Sequence, residues 1–563
     1  MSLTPPPRWI WIAILGLTLL QPALTEAAQN PKPAVQESSQ SGQLFKIAGT
    51  VVNAMTGAPL SQARISIADT KDRAKVTSMI TSESGHFEFL QLKPGKYSLQ
   101  GAKRGFLSAA YEQHEQFSTA IVTGAEFATE NLVLRLTPMA IISGHVFDEF
   151  GDPVRNAQVA LYFENHNEGI TRIVRSFNST TDDRGFFDFN LLRPGNYFIS
   201  VTAKPWYAIH PVTAPEAAGH RASQVSPALD VVYPTTYYNG GTEADRATSI
   251  EVKGGDRLQF EMHLNPTPAL HLILRVPLNE QGQQTGFTMP TLQKRVFDSV
   301  QFVQTEGMQP VAPGVYEVSG VPPGRYTVRA QNSNSGQMEV STDIDLAHDG
   351  QELGNSRGEP LGSLKVTVKM PGQEPLPKQY FLGLQDSRLR IVAFKQGDPS
   401  GQVSFENLVP GKYMIRFGTQ TKPYSVARIS SQAGDSPGHD VTVTPGAALD
   451  LTAVLSAGVV TIEGVVHKKD KPVAGIMVAL VPKDPTANVE LFRRDQSDFD
   501  GTFLLQGVIP GSYTIVAVED AWGLDWLQPN VLARYVQHGQ NLTIGELMRG
   551  SVRLPDPVEV QPH

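Results

Sequence analysis

Whether any of this chain's reactive side chains converge on a site is the first thing its residue types and spacings can answer. A zinc hydrolase needs histidines and a carboxylate at helical or short-loop spacing, with a further carboxylate as base. The sequence holds no H-E-x-x-H and no H-x-x-E. His145-Val146-Phe147-Asp148 comes nearest, yet a strand puts residues three apart on opposite faces, and His210 and His220 read as loop residues. G-x-S-x-G occurs at Gly354 to Gly358 and at Gly434 to Gly438, a short pattern that alone assigns no serine nucleophile. With no cysteine, thiol catalysis, disulfides, iron-sulfur clusters and thiolate zinc sites are excluded. Paired carboxylates for glycoside hydrolysis could converge from anywhere, and nothing selects a pair. Two acidic turns, Asp182-Asp183-Arg184-Gly185 and Asp498-Phe499-Asp500-Gly501, offer oxygens to a hard cation, but Asp before Gly is ordinary turn chemistry. No catalytic residue, metal ligand or cofactor is assigned.

What remains is aromatic. Sugar-binding sandwiches present flat rings on which the apolar face of a pyranose stacks, beside polar groups that reach its hydroxyls. Residues 204–246 hold Trp206, Tyr207, Tyr233, Tyr237 and Tyr238, and Trp522 and Trp526 stand near the C-terminus. Trp206, Tyr207, Tyr237, Tyr238, Trp522 and Trp526 are the candidate ligand-binding residues. The competing reading of the same rings is packing over a sandwich edge or between modules.

The elements that must position these rings are announced by a repeat. The pattern G-x-F-x-F-x-x-L-x-P-G-x-Y begins at Gly85, Gly185, Gly314, Gly401 and Gly501, and only apolar residues exchange at its apolar positions. Intervals of 100, 129, 87 and 100 residues are too long for a solenoid and suit one small domain per copy. Phe87 and Phe89 alternate with His86 and Glu88, the period of a half-buried strand, so the motif's Phe and Tyr belong to the core. The starting glycine sits in hairpin-turn chemistry, and a second turn is expected at Pro-Gly, with the glycine supplying positive φ. About seven short strands per repeat, and no convincing amphipathic helix, predict an all-β chain: a tandem array of small Greek-key-like β-sandwich modules.

The expected limits are 44–138, 139–266 with the aromatic-rich insert 204–246, 267–361, 362–456, and 457–563 with a C-terminal tail. Upstream of the motif, Gly144-His145-Val146-Phe147 and Gly151-Asp152-Pro153-Val154 have counterparts at Gly49 to Leu60 and Gly464 to Val473. Together with the motif, these resemble the carboxypeptidase regulatory-like domain, a transthyretin- or prealbumin-like sandwich related to collagen-adhesin B-type and starch-binding-like domains. The resemblance is full in modules 1, 2 and 5 and partial in the degenerate modules 3 and 4. It implies a β-sandwich fold and, for tandem copies behind a signal peptide, a large secreted bacterial protein. The peptidase to which the family owes its name has no counterpart here.

Arg8, the apolar run from Trp9 to Leu20, Pro22 and the small residues of 23–28 have the layout of a secretory signal. Residues 1–28 are therefore expected to be removed, 29–43 to form a flexible linker, and the mature chain to lack a membrane span, placing it in the periplasm, outside the cell or on the outer bacterial surface. Lys and Arg number 47 against 55 Asp and Glu, with no basic block, which argues against nucleic acid. The function expected is non-catalytic: binding, adhesion or spacing at the cell envelope by an elongated array, with polysaccharide the favoured ligand and an envelope protein the other partner class. The alternatives are an accessory chain of a secreted peptidase or other enzyme, and a purely structural spacer.

Overall fold

The computed structural model describes residues 43–166, 169–211, 225–275, 287–303, 305, 307–332, 338–353, 361–370, 374–419, 423–431 and 434–563. Residues 1–28, expected to be a signal, and most of the expected linker lie outside them. Among the described residues no helix is long and apolar enough to cross a membrane.

Alternation decides the strands. Phe87 and Phe89 of His86–Leu92 are buried and the residues between them face solvent, and Phe187 and Phe189 repeat this in Phe186–Leu192. Each buried ring contributes roughly 1.5–3 kcal/mol relative to leaving it in water. The motif strand pairs antiparallel with the strand that opens its module, which pairs on its other side, in parallel, with the strand that closes it. In the first module these are His86–Leu92, Phe45–Asn53 and Leu132–Leu136. In the second they are Phe186–Leu192, Ala140–Phe147 and Arg257–His263. Leu270–Arg275, Gly362–Lys369 and Val460–Lys468 occupy the same central place in the other three.

A second sheet faces each of these. Its centre pairs the strand after the Pro-Gly with one from the upstream half, as Gly95–Ala102 with Arg64–Asp69, and Gly195–Thr202 with Gln158–Asn165. The core lies between the two sheets, which makes the chain all-β and each repeat a sandwich.

The motif's starting glycine has φ between 70° and 84° in all five copies, a conformation an L side chain resists. The second turn is built differently from the expectation. Gly195 and Gly324 take the expected positive φ, 144° and 149°, but Gly95, Gly411 and Gly511 do not; in all five copies a left-handed residue sits three places before the proline, at Gln91, Leu191, Gly320, Asn407 and Gly507. Register breaks there, as between Phe189 and Leu192 against Ile142 and Ala140, so a β-bulge bends the strand before it crosses to the second sheet. The motif tyrosine holds the crossing. Its hydroxyl donates to the carbonyl of the residue before the proline: Tyr97 to Lys93 at 3.0 Å, Tyr197 to Arg193 at 2.9 Å, Tyr326 to Pro322 at 2.6 Å, Tyr513 to Ile509 at 2.7 Å, and likewise Tyr413 to Val409.

The fifth module packs on the first. Lys96 Nζ lies 2.6 Å from Asp498 and 3.2 Å from Asp500, and Arg494 donates to both oxygens of Glu115, at 3.1 and 2.6 Å. Gln496 donates to the Glu112 carbonyl and the Thr119 hydroxyl. The cause is local: Arg493–Gln496 is a polar edge strand whose Arg494 and Gln496 side chains find partners on the first module. A short helix that alternation did not foretell, Pro529–Val536, closes the adjoining apolar cluster with Leu532 and Tyr535. The fifth module also meets the fourth, where Glu490 takes Arg416 and the Ser425 hydroxyl, and the second, where Leu527 N–H donates to the Gly169 carbonyl at 2.8 Å.

Candidate functional site

A tight turn in the second module carries the exposed rings. Asp148, itself buried, accepts the N–H groups of Phe150 at 2.9 Å and Asp152 at 2.8 Å, and Gly151 takes a φ of 86°. This Asx-type closure leaves Phe150 at the tip, 74 % exposed. Between Asp148 and Phe150, Glu149 points back toward the insert. One carboxylate oxygen accepts the hydroxyl of Tyr207 and the other that of Tyr233, at 2.6 Å. Burial works to raise the Glu149 pKa, but the two phenol donors outweigh it and hold the carboxyl below its ordinary value. The same contacts act in reverse on the phenols: burial, then Glu149, pushes Tyr207 up to about 12, and Tyr233 is raised further.

Trp206 follows Pro205, which is buried, and is itself 86 % exposed. Its ring stands 5.8 Å from that of Tyr207 at 86°, and Phe150 lies 6.4 Å from Tyr207 on a 59° tilt. Three aromatic rings thus form an open corner with Tyr207 at its centre, pinned through its hydroxyl. Phe150 and Glu149 carried no signal in the repeat. The one available clue is composition: a large apolar ring in an Asp-Glu-Phe-Gly-Asp turn has no core to enter.

The other candidate rings lie elsewhere. Tyr237 is wholly buried, and with Tyr162 and Phe198 it forms a socket for Phe297, whose ring centroid lies 5.8, 5.0 and 5.0 Å from theirs. Phe297 tips a hairpin of the third module, so this part of the insert is a joint and leaves no ring face to a ligand. Tyr238 packs edge-on to Phe260 at 4.8 Å, against the core of its own module. Trp522 stacks on His114 of the first module at 4.9 Å and 5°, with Phe117 at 5.7 Å. Trp526 is buried beneath the Arg494 guanidinium, 4.4 Å from its centroid, and so close to Gly169 that a Cβ there would lie 2.4 Å from the indole. Only Trp206 and Tyr207, of the six, are brought together at the surface.

His145 lies against Phe147 and Phe186 and does not meet Asp148, which closes its own turn. His220 is outside the described residues. His210 Nδ1 lies 2.8 Å from Asp230, whose other oxygen is 3.5 Å from Nε2 of His271, and His271 Nδ1 lies 2.7 Å from Asp349. This joint, buried except at Asp349, ties the second module to the third and was not visible in residue spacing. Among the described residues no group of three or more His, Asp or Glu is arranged to hold a metal ion. In the acidic turns, Asp182 accepts the N–H groups of Arg184 and Phe186, while Asp498 faces Lys96 and the Ala120 N–H.

Residues 46–135 match the model of the carboxypeptidase regulatory-like domain. No curated protein matches the chain. Among solved structures, the Bacillus anthracis TIE protein is 12 % identical with a TM-score of 0.17, the match covering 75 % of each chain. The Streptococcal ancillary pilin is 13 % identical with a TM-score of 0.17, over 51 % of this chain and all of that one. The minor pilin of Streptococcus agalactiae is 12 % identical with a TM-score of 0.20, over 40 % of this chain and 97 % of that one. At such scores the chains do not superpose as wholes.

Proposed function

From a chain of β-sandwich modules whose first is a carboxypeptidase regulatory-like domain, we propose an exported, non-catalytic binding protein that presents the Phe150–Trp206–Tyr207 corner to carbohydrate. The observation that carries this reading is the exposure of Trp206 beside a ring that is hydrogen-bonded in place. An indole in water forgoes the burial that stabilises most tryptophans, and nothing in the sandwich requires Trp206 there. A sugar stacking on it recovers that area without ordering the site, because Tyr207 is already held by Glu149 and the turn by Asp148. The modules behind it then act as a rigid mount, since the polar and aromatic joints oppose relative movement of neighbours.

The test is affinity electrophoresis of the mature chain through gels containing soluble polysaccharides, with Trp206→Ala and Phe150→Ala alongside. Retardation by at least one polysaccharide, lost in both variants, is the expected result. Retardation by none removes carbohydrate as the ligand. A structural role at the envelope is the second reading, favoured by Tyr237, Trp522 and Trp526 serving as joints, and it would stand alone in that case. Export is checked separately, by N-terminal sequencing of the protein recovered outside the cytoplasm, which should begin near residue 28.

A further inference from the structure

Resting on that carbohydrate reading, we infer that the corner selects a positively charged ligand: an amino sugar whose amine is free, in preference to N-acetylated, neutral or acidic sugars. Residues Asp148 to Asp152 place three carboxylates within five residues, around the exposed Phe150, with no base among them. What holds these carboxylates is neutral. Asp148 is satisfied by backbone N–H groups and Glu149 by the Tyr207 and Tyr233 hydroxyls, while Asp152 is exposed. Among the described residues no Lys or Arg pairs with any of the three. Phenol and amide donors orient a carboxylate without cancelling its charge, so the negative potential stands at the rim of the aromatic corner.

Both features favour the same ligand. The faces of Trp206 and Tyr207 carry the negative lobe of the ring quadrupole, which attracts a cation within about 6 Å of a centroid. The carboxylates add an attraction that salt screens over a Debye length of roughly 8 Å at physiological ionic strength, and they repel uronates and sulfates over the same range. A hexosamine offers an ammonium group for the corner and a C–H face for Phe150. N-acetylation removes the charge and keeps the face, which makes it the discriminating change.

The experiment titrates the mature chain by calorimetry with a glucosamine oligomer bearing free amines, its fully N-acetylated counterpart and a neutral glucan of equal length. The free-amine oligomer should bind about tenfold more tightly than the N-acetylated one at 50 mM salt, and that advantage should shrink to about twofold at 0.5 M salt. Asp152→Asn, an exposed change remote from the packing, should cut the advantage severalfold, and Trp206→Ala should abolish binding of all three. Equal or tighter binding of the N-acetylated or neutral oligomer, lost in Trp206→Ala, overturns the charge selectivity while leaving the carbohydrate reading intact. Free-amine binding that survives Trp206→Ala also overturns it, as general attraction to an acidic surface. Binding of none of the three overturns both.

Discussion

Replacing Glu115 with Ala should release the first module from the fifth. Glu115 and Arg494 have side chains 7 % and 5 % exposed, joined through two hydrogen bonds, with the guanidinium over Trp526 on one side and 5.4 Å from the Phe117 ring on the other. Deleting one partner of such a pair leaves charge in a poorly solvated place, a change that costs about 3–5 kcal/mol. Each 1.4 kcal/mol is about a factor of ten, so the closed arrangement loses roughly two to three and a half orders of magnitude against the open one. The Lys96 pairs to Asp498 and Asp500 remain but are more exposed, and they do not make up that loss. The loss falls on the interface, because neither residue belongs to a sandwich core. Amide hydrogen exchange reads it directly: protection should drop at residues 111–120 and 493–499 and stay unchanged at Phe87, Phe89 and their strand partners. Lys468→Ala, which removes an exposed pair to Glu519, is the control and should change protection by less than about 1 kcal/mol. Undiminished protection at residues 111–120 in Glu115→Ala would refute the assignment of the ion pair as the clasp.

Phe297→Ala should empty the socket formed by Tyr162, Phe198 and Tyr237, lowering stability by about 2–4 kcal/mol in urea unfolding and raising quenching of Tyr fluorescence, with no effect on ligand binding at Trp206. Tyr197→Phe removes the hydrogen bond to the Arg193 carbonyl and should cost about 1 kcal/mol in the same assay. Burial pushes Asp495 up to about 6, despite the hydrogen bond it accepts from Leu504 N–H. With the folded value above the unfolded one, the protonated form is favoured by folding: the stabilisation is full below about pH 4 and is lost as pH rises through 6. The melting temperature should therefore rise as pH falls from 7 to 5, and this slope should flatten in Asp495→Asn. Asp182 and Asp484, held low by backbone N–H groups, contribute the other way, and their share is lost once pH falls below about 4.

Much of the fold was legible because it is local and recurs. Period-two alternation at Phe87 and Phe89 needs only near neighbours to declare a strand, and five copies make a coincidence of composition untenable. The helix Pro529–Val536 escaped because eight residues are too short for a stable periodic signal, and its packing on the fifth module settles its state. The bulge at Gln91 and its counterparts escaped for another reason. The five positions carry four residue types, Gln, Leu, Asn and Gly, and the left-handed backbone at Leu191 accompanies a register shift of its strand against Ala140–Phe147.

The candidate rings separate in the same way. Trp206, Tyr237 and Trp522 are alike as sequence, each an aromatic in a segment outside the motif. Exposure, socket and stack are assigned to them by residues far along the chain: Phe297 for Tyr237, and His114 and Phe117 for Trp522. Glu149 and Phe150 join the corner only when residues 205–207 return to the turn, which no spacing rule encodes.

By itself, then, the chain's order of residues determined five cysteine-free sandwiches, their turn glycines and their buried aromatic faces, because each follows from contacts a few residues apart or from a pattern repeated along the chain. The tertiary structure decided which modules touch, that the last returns to the first, and which aromatics stay in water. Those outcomes depend on side chains some 400 residues apart, such as Lys96 and Asp498, whose pairing has no local signature and becomes favourable only once both sandwiches are formed.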